Sequence, residues 1–148
     1  MTNEPAPVPS GHDSAALWRA QQRATAEAHA EVLAGRQRAE AAQARELIAG
    51  FLRRARKYGP QAGPLHALSY DGRTRYKTTL QGWYLRLDET IAIDTDGQFY
   101  ILTVPSSLSA RFKGVTVQPS EPTLVLGAGG PDGASIDLSA SLARLLGK

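Results

Sequence analysis

The stretch ARELIAGFLRRARKYGPQAGPLHALSY (residues 44–70) carries the chain from one periodicity to another. In its first half Ala44, Ile48, Phe51, Ala55 and Tyr58 recur at alternating spacings of four and three, with Leu47 and Leu52 beside them. Such a stripe lies on one side of an α-helix and is wide enough to pack on a globular body. Gly59 and Pro60 end it, because glycine supplies a left-handed cap and proline cannot continue the ladder. After the GPQAGP linker (59–64) the pattern turns to β-strands. The chain is therefore read as α+β.

Upstream, residues from Ala15 to Lys57 contain no proline and only Gly35 and Gly50, while Ala, Arg, Glu and Gln dominate. These strong helix formers predict one long helix over 13–58, with Asp13 or Ser14 as its N-cap. The segment AGRQRAEAAQARE (34–46) has no large apolar side chain, and ahead of it only Leu17, Trp18, Val32 and Leu33 stand out. The expectation is a helix whose C-terminal third docks while its N-terminal part projects. A break at Gly35 is the alternative, since glycine costs about 1 kcal/mol relative to alanine there. A continuous coiled coil is disfavoured when Arg23, Glu27 and Gln37 are placed at core positions. Residues 1–12, with Pro5, Pro7 and Pro9, read as a disordered tail.

Downstream, residues 65–148 read as a small β-rich domain with a C-terminal helix. Leu65–Tyr70 and Arg73–Leu80 flank Asp71-Gly72, a hairpin signal. Trp83–Leu87 and Thr90–Ile93 follow, and DTDG (94–97) turns into FYILTV (99–104). An antiparallel meander of about five or six short strands results. FYILTV is apolar on both faces, which predicts a central strand covered twice. The docked helix covers one face; the C-terminal helix or a partner chain covers the other. SSLSARF (106–112) reads as a short helical turn ending at Gly114, then Val115–Val117 and Thr123–Leu126 as further strands. Asp137 caps a terminal helix carrying Leu138, Leu142, Leu145 and Leu146.

Charge is concentrated at the junction. Of 17 Lys/Arg and 14 Asp/Glu, residues 51–77 hold seven bases (Arg53, Arg54, Arg56, Lys57, Arg73, Arg75, Lys77) and one acid, Asp71. Both flanks are slightly acidic. Arg73, Arg75 and Lys77 alternate, which puts them on one face of a strand, and Tyr76 among them is a candidate to stack on a base. These residues are the candidate polyanion-binding set. They have structural explanations as well: basic residues suit a helix C-terminus, and cations protect an edge strand.

Other chemistries find little support. There is no cysteine, so thiol catalysis, thiolate metal sites and disulfides are excluded. His12, His29 and His66 show no metal-ligand spacing, and DTDG lacks the distal glutamate of a calcium loop. Gly-rich GAGGPDG (127–133) follows a strand and precedes a helix, but its spacing fits neither a dinucleotide fingerprint nor a Walker loop. The carboxylate pairs Asp88-Glu89 and Asp94/Asp96 fall in turns open to water, where tuning a catalytic pKa is hard. No enzyme, cofactor, metal or small-molecule substrate is expected. The N-terminus has no signal-peptide pattern, no stretch is long and apolar enough to span a bilayer, and a cytoplasmic protein is expected.

The stretch GWYLRLDETIAIDTDGQFYILTVPSSLSARFKGVTVQPSEPTLVLG, followed by DGASIDLSASLARLL, resembles a group of small uncharacterised proteins from high-GC bacteria. The resemblance covers about residues 45–146 and implies a recurring helix-plus-meander body; it implies no activity. The function expected is a non-catalytic interaction or regulatory module. Its projecting helix binds a protein partner or a second copy, with Leu17, Trp18, Val32 and Leu33 as anchors. The alternative is nucleic-acid binding through the 53–77 cluster.

Overall fold

A computed structural model describes residues 11–127 and 135–147. Most of the GAGGPDG loop lies outside the described residues. The fold is α+β: a long N-terminal helix, a five-stranded sheet that is mostly antiparallel, and a short C-terminal helix. The chain divides into two units, one up to Arg38 and one from Ala39 onward.

Helix α1 (Gly11–Tyr58) is 48 residues long and supplies all described residues of the first unit. It is helical from Gly11, so neither Asp13 nor Ser14 is its N-cap. Asp13 instead sits in the first turn, where the helix dipole favours a carboxylate. The helix does not break at Gly35, because the surrounding Ala, Arg and Gln favour the helix strongly enough to carry one glycine. Within the first unit no described residue is buried.

In the second unit the last turns of α1 bury Ala41, Ala44, Ile48, Phe51, Leu52 and Ala55. Tyr58, the last member of the stripe read from sequence, is 82% exposed. Gly59, at φ +78°, ends the helix and donates its N–H to Ala55 O at 2.8 Å.

The sheet runs β4-β3-β2-β1-β5. Strands β1 (Gly63–Ser69) and β2 (Arg75–Tyr84) form the hairpin around Asp71-Gly72, with Gly72 at φ +74°. Arg73 belongs to the turn rather than to the strand. β2 is one ten-residue strand where the sequence suggested two, because Gly82 does not interrupt it. Gly82 pairs with Gly63 on one side and Asp94 on the other. A Cβ there would fall on the Ile93 carbonyl, so the glycine permits a close strand approach.

β3 (Ile91–Asp94) and β4 (Phe99–Ile101) form the second hairpin, with Gly97 at φ +86° in the DTDG turn. β5 (Thr103–Val104) pairs in parallel with β1. FYILTV is therefore not central: it supplies both outer strands of the sheet. Leu102, fully buried between them, donates to Thr90 O and accepts from Leu68 N, each at 2.7 Å. That residue turns the segment from one end of the sheet to the other.

Two apolar layers flank this sheet. Phe51, Ile48 and Leu52 of α1 meet Leu85, Ile91, Ile93 and Phe99, together with Leu138 and Leu142 of α3 (Leu138–Leu146). Trp83 packs edge-on against Phe51, with centroids 5.1 Å apart, and its Nε1 donates to Pro60 O at 3.0 Å. The opposite layer holds Leu65, Ala92, Tyr100 and Leu102, then Ala67, Tyr76 and Ala110. Its cover is α2 (Leu108–Lys113) and the Val115–Val117 segment; the C-terminal helix lies in the first layer with α1. Val115–Val117 is not a strand: its start bonds to Lys77 O through Val115 N at 2.8 Å. β6 (Val125–Leu126) and β7 (Ile136–Asp137) make a separate two-stranded ladder leading into α3. Asp137 stands at the α3 N-cap, without a side-chain capping bond.

Candidate interaction surfaces

The cations of the 53–77 cluster fall into different surroundings. Arg53, Arg54, Arg56 and Lys57 are exposed on the last turns of α1. Arg53 and Arg54 border a shallow groove whose other wall is α3, with Leu142 and Leu146. Arg75 and Lys77 alternate on β2 and share one face, beside His66 of β1. Arg75 Nη2 lies 2.9 Å from Glu89 Oε2 and 3.5 Å from His66 Nδ1, so part of its charge is neutralised. β3 pairs only with the Gly82–Tyr84 end of β2, so the Arg75–Lys77 end has a strand partner, β1, on one side alone and keeps the edge-protection explanation for its cations.

Tyr76 does not belong to this surface. It points to the other face of β2 and is 2% exposed, with its hydroxyl accepting from Ser107 N at 3.1 Å. The alternation that brings Arg75 and Lys77 outward drives Tyr76 inward. A buried ring cannot stack on a ligand. Tyr58 and Tyr70, at 82% and 72%, are the open tyrosines.

The short helix read at SSLSARF is α2, but sequence reading did not single out its exposed apolar residues. Ser107 caps it through Ala110 N, and Ala110 is the buried member of its six residues. Leu108 and Phe112, four apart, are 74% and 90% exposed. Arg111 and Lys113 are interleaved with them. The signal was present in SSLSARFKG, where Leu108 and Phe112 stand two positions to either side of Ala110. The helix is too short for periodicity to say which side is buried.

The candidate partner anchors are exposed: Leu17 62%, Trp18 63%, Val32 53% and Leu33 56%. Trp18, Thr25 and Val32 are seven apart and fall along one side of the helix. A shallow strip there is lined by Gln21, Ala24, Thr25, Ala28, His29 and Val32. It carries no Asp, Glu, Lys or Arg. Leu17 and Leu33 lie to its sides.

The carboxylates have structural work. Asp94 is buried; its Oδ1 accepts from Asp96 N and Gln98 N, both at 2.9 Å, and its Oδ2 from the Tyr100 hydroxyl at 3.0 Å. Burial and then the Asp94 carboxylate push the Tyr100 hydroxyl up to about 12. Burial opposes ionisation of Asp88, but hydrogen bonds from Thr90 and the Arg86 guanidinium outweigh it and hold the carboxyl below its usual range. Ser69 Oγ, 2.6 Å away, and then Arg73 N lower Asp71. Each carboxylate braces a turn. Among the described residues no group of three or more His, Asp or Glu could hold a metal ion, and no helix is long and apolar enough to cross a membrane.

No family model, curated protein or solved structure matches this chain.

Proposed function

We propose that the protein is a non-catalytic interaction module whose helical residues 11–38 recruit a protein partner or a second copy of the chain. One observation carries this reading. The segment has no buried residue, yet it holds Leu17, Trp18, Val32 and Leu33, each more than half exposed. Fully burying such a side chain is worth about 1.5–3 kcal/mol, and the second unit does not need them for its core. The strip from Gln21 to Val32, which holds no Asp, Glu, Lys or Arg, adds direction, since helices pair along seams at this spacing. Small Ala24 and Ala28 let a second helix come close, while Trp18 supplies an anchor of large area.

Light scattering on the full chain tests the self-association version. The expected result is a mass above the monomer that grows with concentration, and a monomer for the variant combining Leu17→Ala, Trp18→Ala, Val32→Ala and Leu33→Ala. Alanine keeps the helix propensity, so a change in mass reports the lost side chains. A wild-type chain that stays monomeric, with helicity unchanged by the four substitutions, overturns pairing with itself.

A further inference from the structure

The densest run of positive charge in the chain, Arg53 to Lys57, adjoins an apolar groove. Leu47, Gly50, Phe51 and Arg54 follow one another at spacings of three and four, so they share one side of α1. Ser139, Leu142, Ala143 and Leu146 repeat that spacing on α3. Both sides line the same groove. Phe51 and Leu142 are its floor, buried and part of the core. Leu47 stands on the rim, 40% exposed, and Leu146 is half-buried. Gly50, Ser139 and Ala143 are small, which keeps the space between the helices open.

Its charge is one-sided. Arg53 leaves α1 from the neighbouring flank, but its guanidinium turns back to the groove: a Cβ on Gly50 would stand 3.7 Å from Arg53 Nη2. Arg53 and Arg54 both line the groove, and neither makes a salt bridge among the described residues. Residues 47–58 hold four bases and no acid, and α3 holds Arg144 and no acid. Arg144 is turned inward, donating from Nη2 to Leu85 O at 3.2 Å. Glu46 precedes the groove and borders an adjoining recess with Arg53 and Leu124, and Asp137 stands ahead of α3. Neither acid lines the groove itself.

We propose that this groove holds an acidic amphipathic α-helix of a partner protein. Its apolar side rests on Leu47, Phe51, Leu142 and Leu146, and its carboxylates meet Arg53 and Arg54. The walls are themselves helices, whose backbone groups bond within each helix, so they offer no ladder to an extended strand. An occupant must bring a satisfied backbone, and a helix does. Small residues on both walls let helix axes come within about 8–10 Å. Nucleic acid would meet the same cations, but the aromatic ring of the lining, Phe51, is too buried to stack on a base. Residues 11–38 of a second copy lack the charge, since they carry four Arg against three acids. This surface is therefore separate from helix pairing by residues 11–38.

The test is fluorescence anisotropy of a labelled peptide of about 16 residues, built from Leu, Ala and Glu with leucine along one helical side, titrated with the full chain. It should bind at low salt and gain helicity by circular dichroism. A peptide of the same composition, scrambled to remove the apolar side, should bind at least about tenfold more weakly. Arg53→Ala with Arg54→Ala should weaken binding about tenfold and reduce its dependence on salt. Arg111→Ala with Lys113→Ala, which removes the same charge from α2, should change neither quantity. Gly50→Leu should fill the groove and abolish binding. Its new Cβ meets only the far end of Arg53, and leucine favours the helix, so the thermal melt should not fall. No binding at low salt, equal binding of the scrambled peptide, or full binding to Gly50→Leu overturns the proposal. Oligothymidylate that binds more tightly than the peptide, with the same loss for the Arg53/Arg54 pair, overturns it in favour of nucleic acid.

Discussion

Residues 39–58 of α1 bury six side chains, whereas residues 11–38 of the same helix bury none. Both parts are rich in alanine and arginine, and both are helical. The difference lies in what sits at positions three and four apart. In the later part these are Ile48, Phe51, Leu52 and Ala55, a stripe that closes the core against Trp83 and Ile93. In the earlier part they are Thr25, Ala28 and Val32, with Trp18 one turn or more away. Helix propensity is thus shared by the two parts, and burial is not. Propensity decides that the chain coils; the large apolar residues decide what it coils against.

This contrast can be broken most forcefully in the core. Phe51→Ala removes a ring that packs edge-on with Trp83 and should cost about 3–5 kcal/mol in denaturant unfolding. A smaller effect is expected at the β3–β4 turn. Tyr100→Phe takes a donor from the buried Asp94 carboxylate and should cost about 1–2 kcal/mol near neutral pH. The same residue sets an alkaline limit. Its hydroxyl titrates at about 12 in the folded chain and at about 10 when unfolded, so the folded state holds that proton longer. Its contribution is complete below the unfolded value and is lost as pH rises through the folded one. Urea titrations at about pH 8 and about pH 11 should show a fall for wild type that Tyr100→Phe lessens.

Glu40 sharpens the comparison at the start of the buried part. Its Oε1 accepts from Leu124 N at 2.8 Å, and Glu40→Ala should cost about 1 kcal/mol in the same assay. Smallest of all, Trp18→Ala should leave the unfolding of the second unit within about 0.5 kcal/mol of wild type. A larger loss for Trp18→Ala in a monomeric sample would erase the distinction between the two parts.

What sequence could tell followed the range of each interaction. The Ala44–Ala55 stripe, Asp71-Gly72 and DTDG are local patterns, and the structure contains each as a docked helix or a turn. The placement of FYILTV depended on pairings with β3 and β1, residues far away in the chain, and apolar character alone suggested a centre where the chain forms both ends. Arg73–Leu80 and Trp83–Leu87 read as separate strands because the use of Gly82 between them, admitting the Ile93 carbonyl, exists only after β3 has paired. Tyr76 had the right neighbours for a binding surface but the wrong parity. Phe112 was overlooked for the opposite reason: a six-residue helix holds too few turns to announce its outward side.

The turn at Leu102 has a consequence for how the molecule meets others. Because one segment ends the sheet at both sides, its outer strands are only three and two residues long, and Ser120 N already donates to Phe99 O on one of them. Rims this short, one of them occupied, make a poor template for adding a foreign strand. The fold thereby discourages fibril-like stacking of its own copies. The exposed apolar side chains Trp18 and Phe112 lie on helices instead, away from those strands.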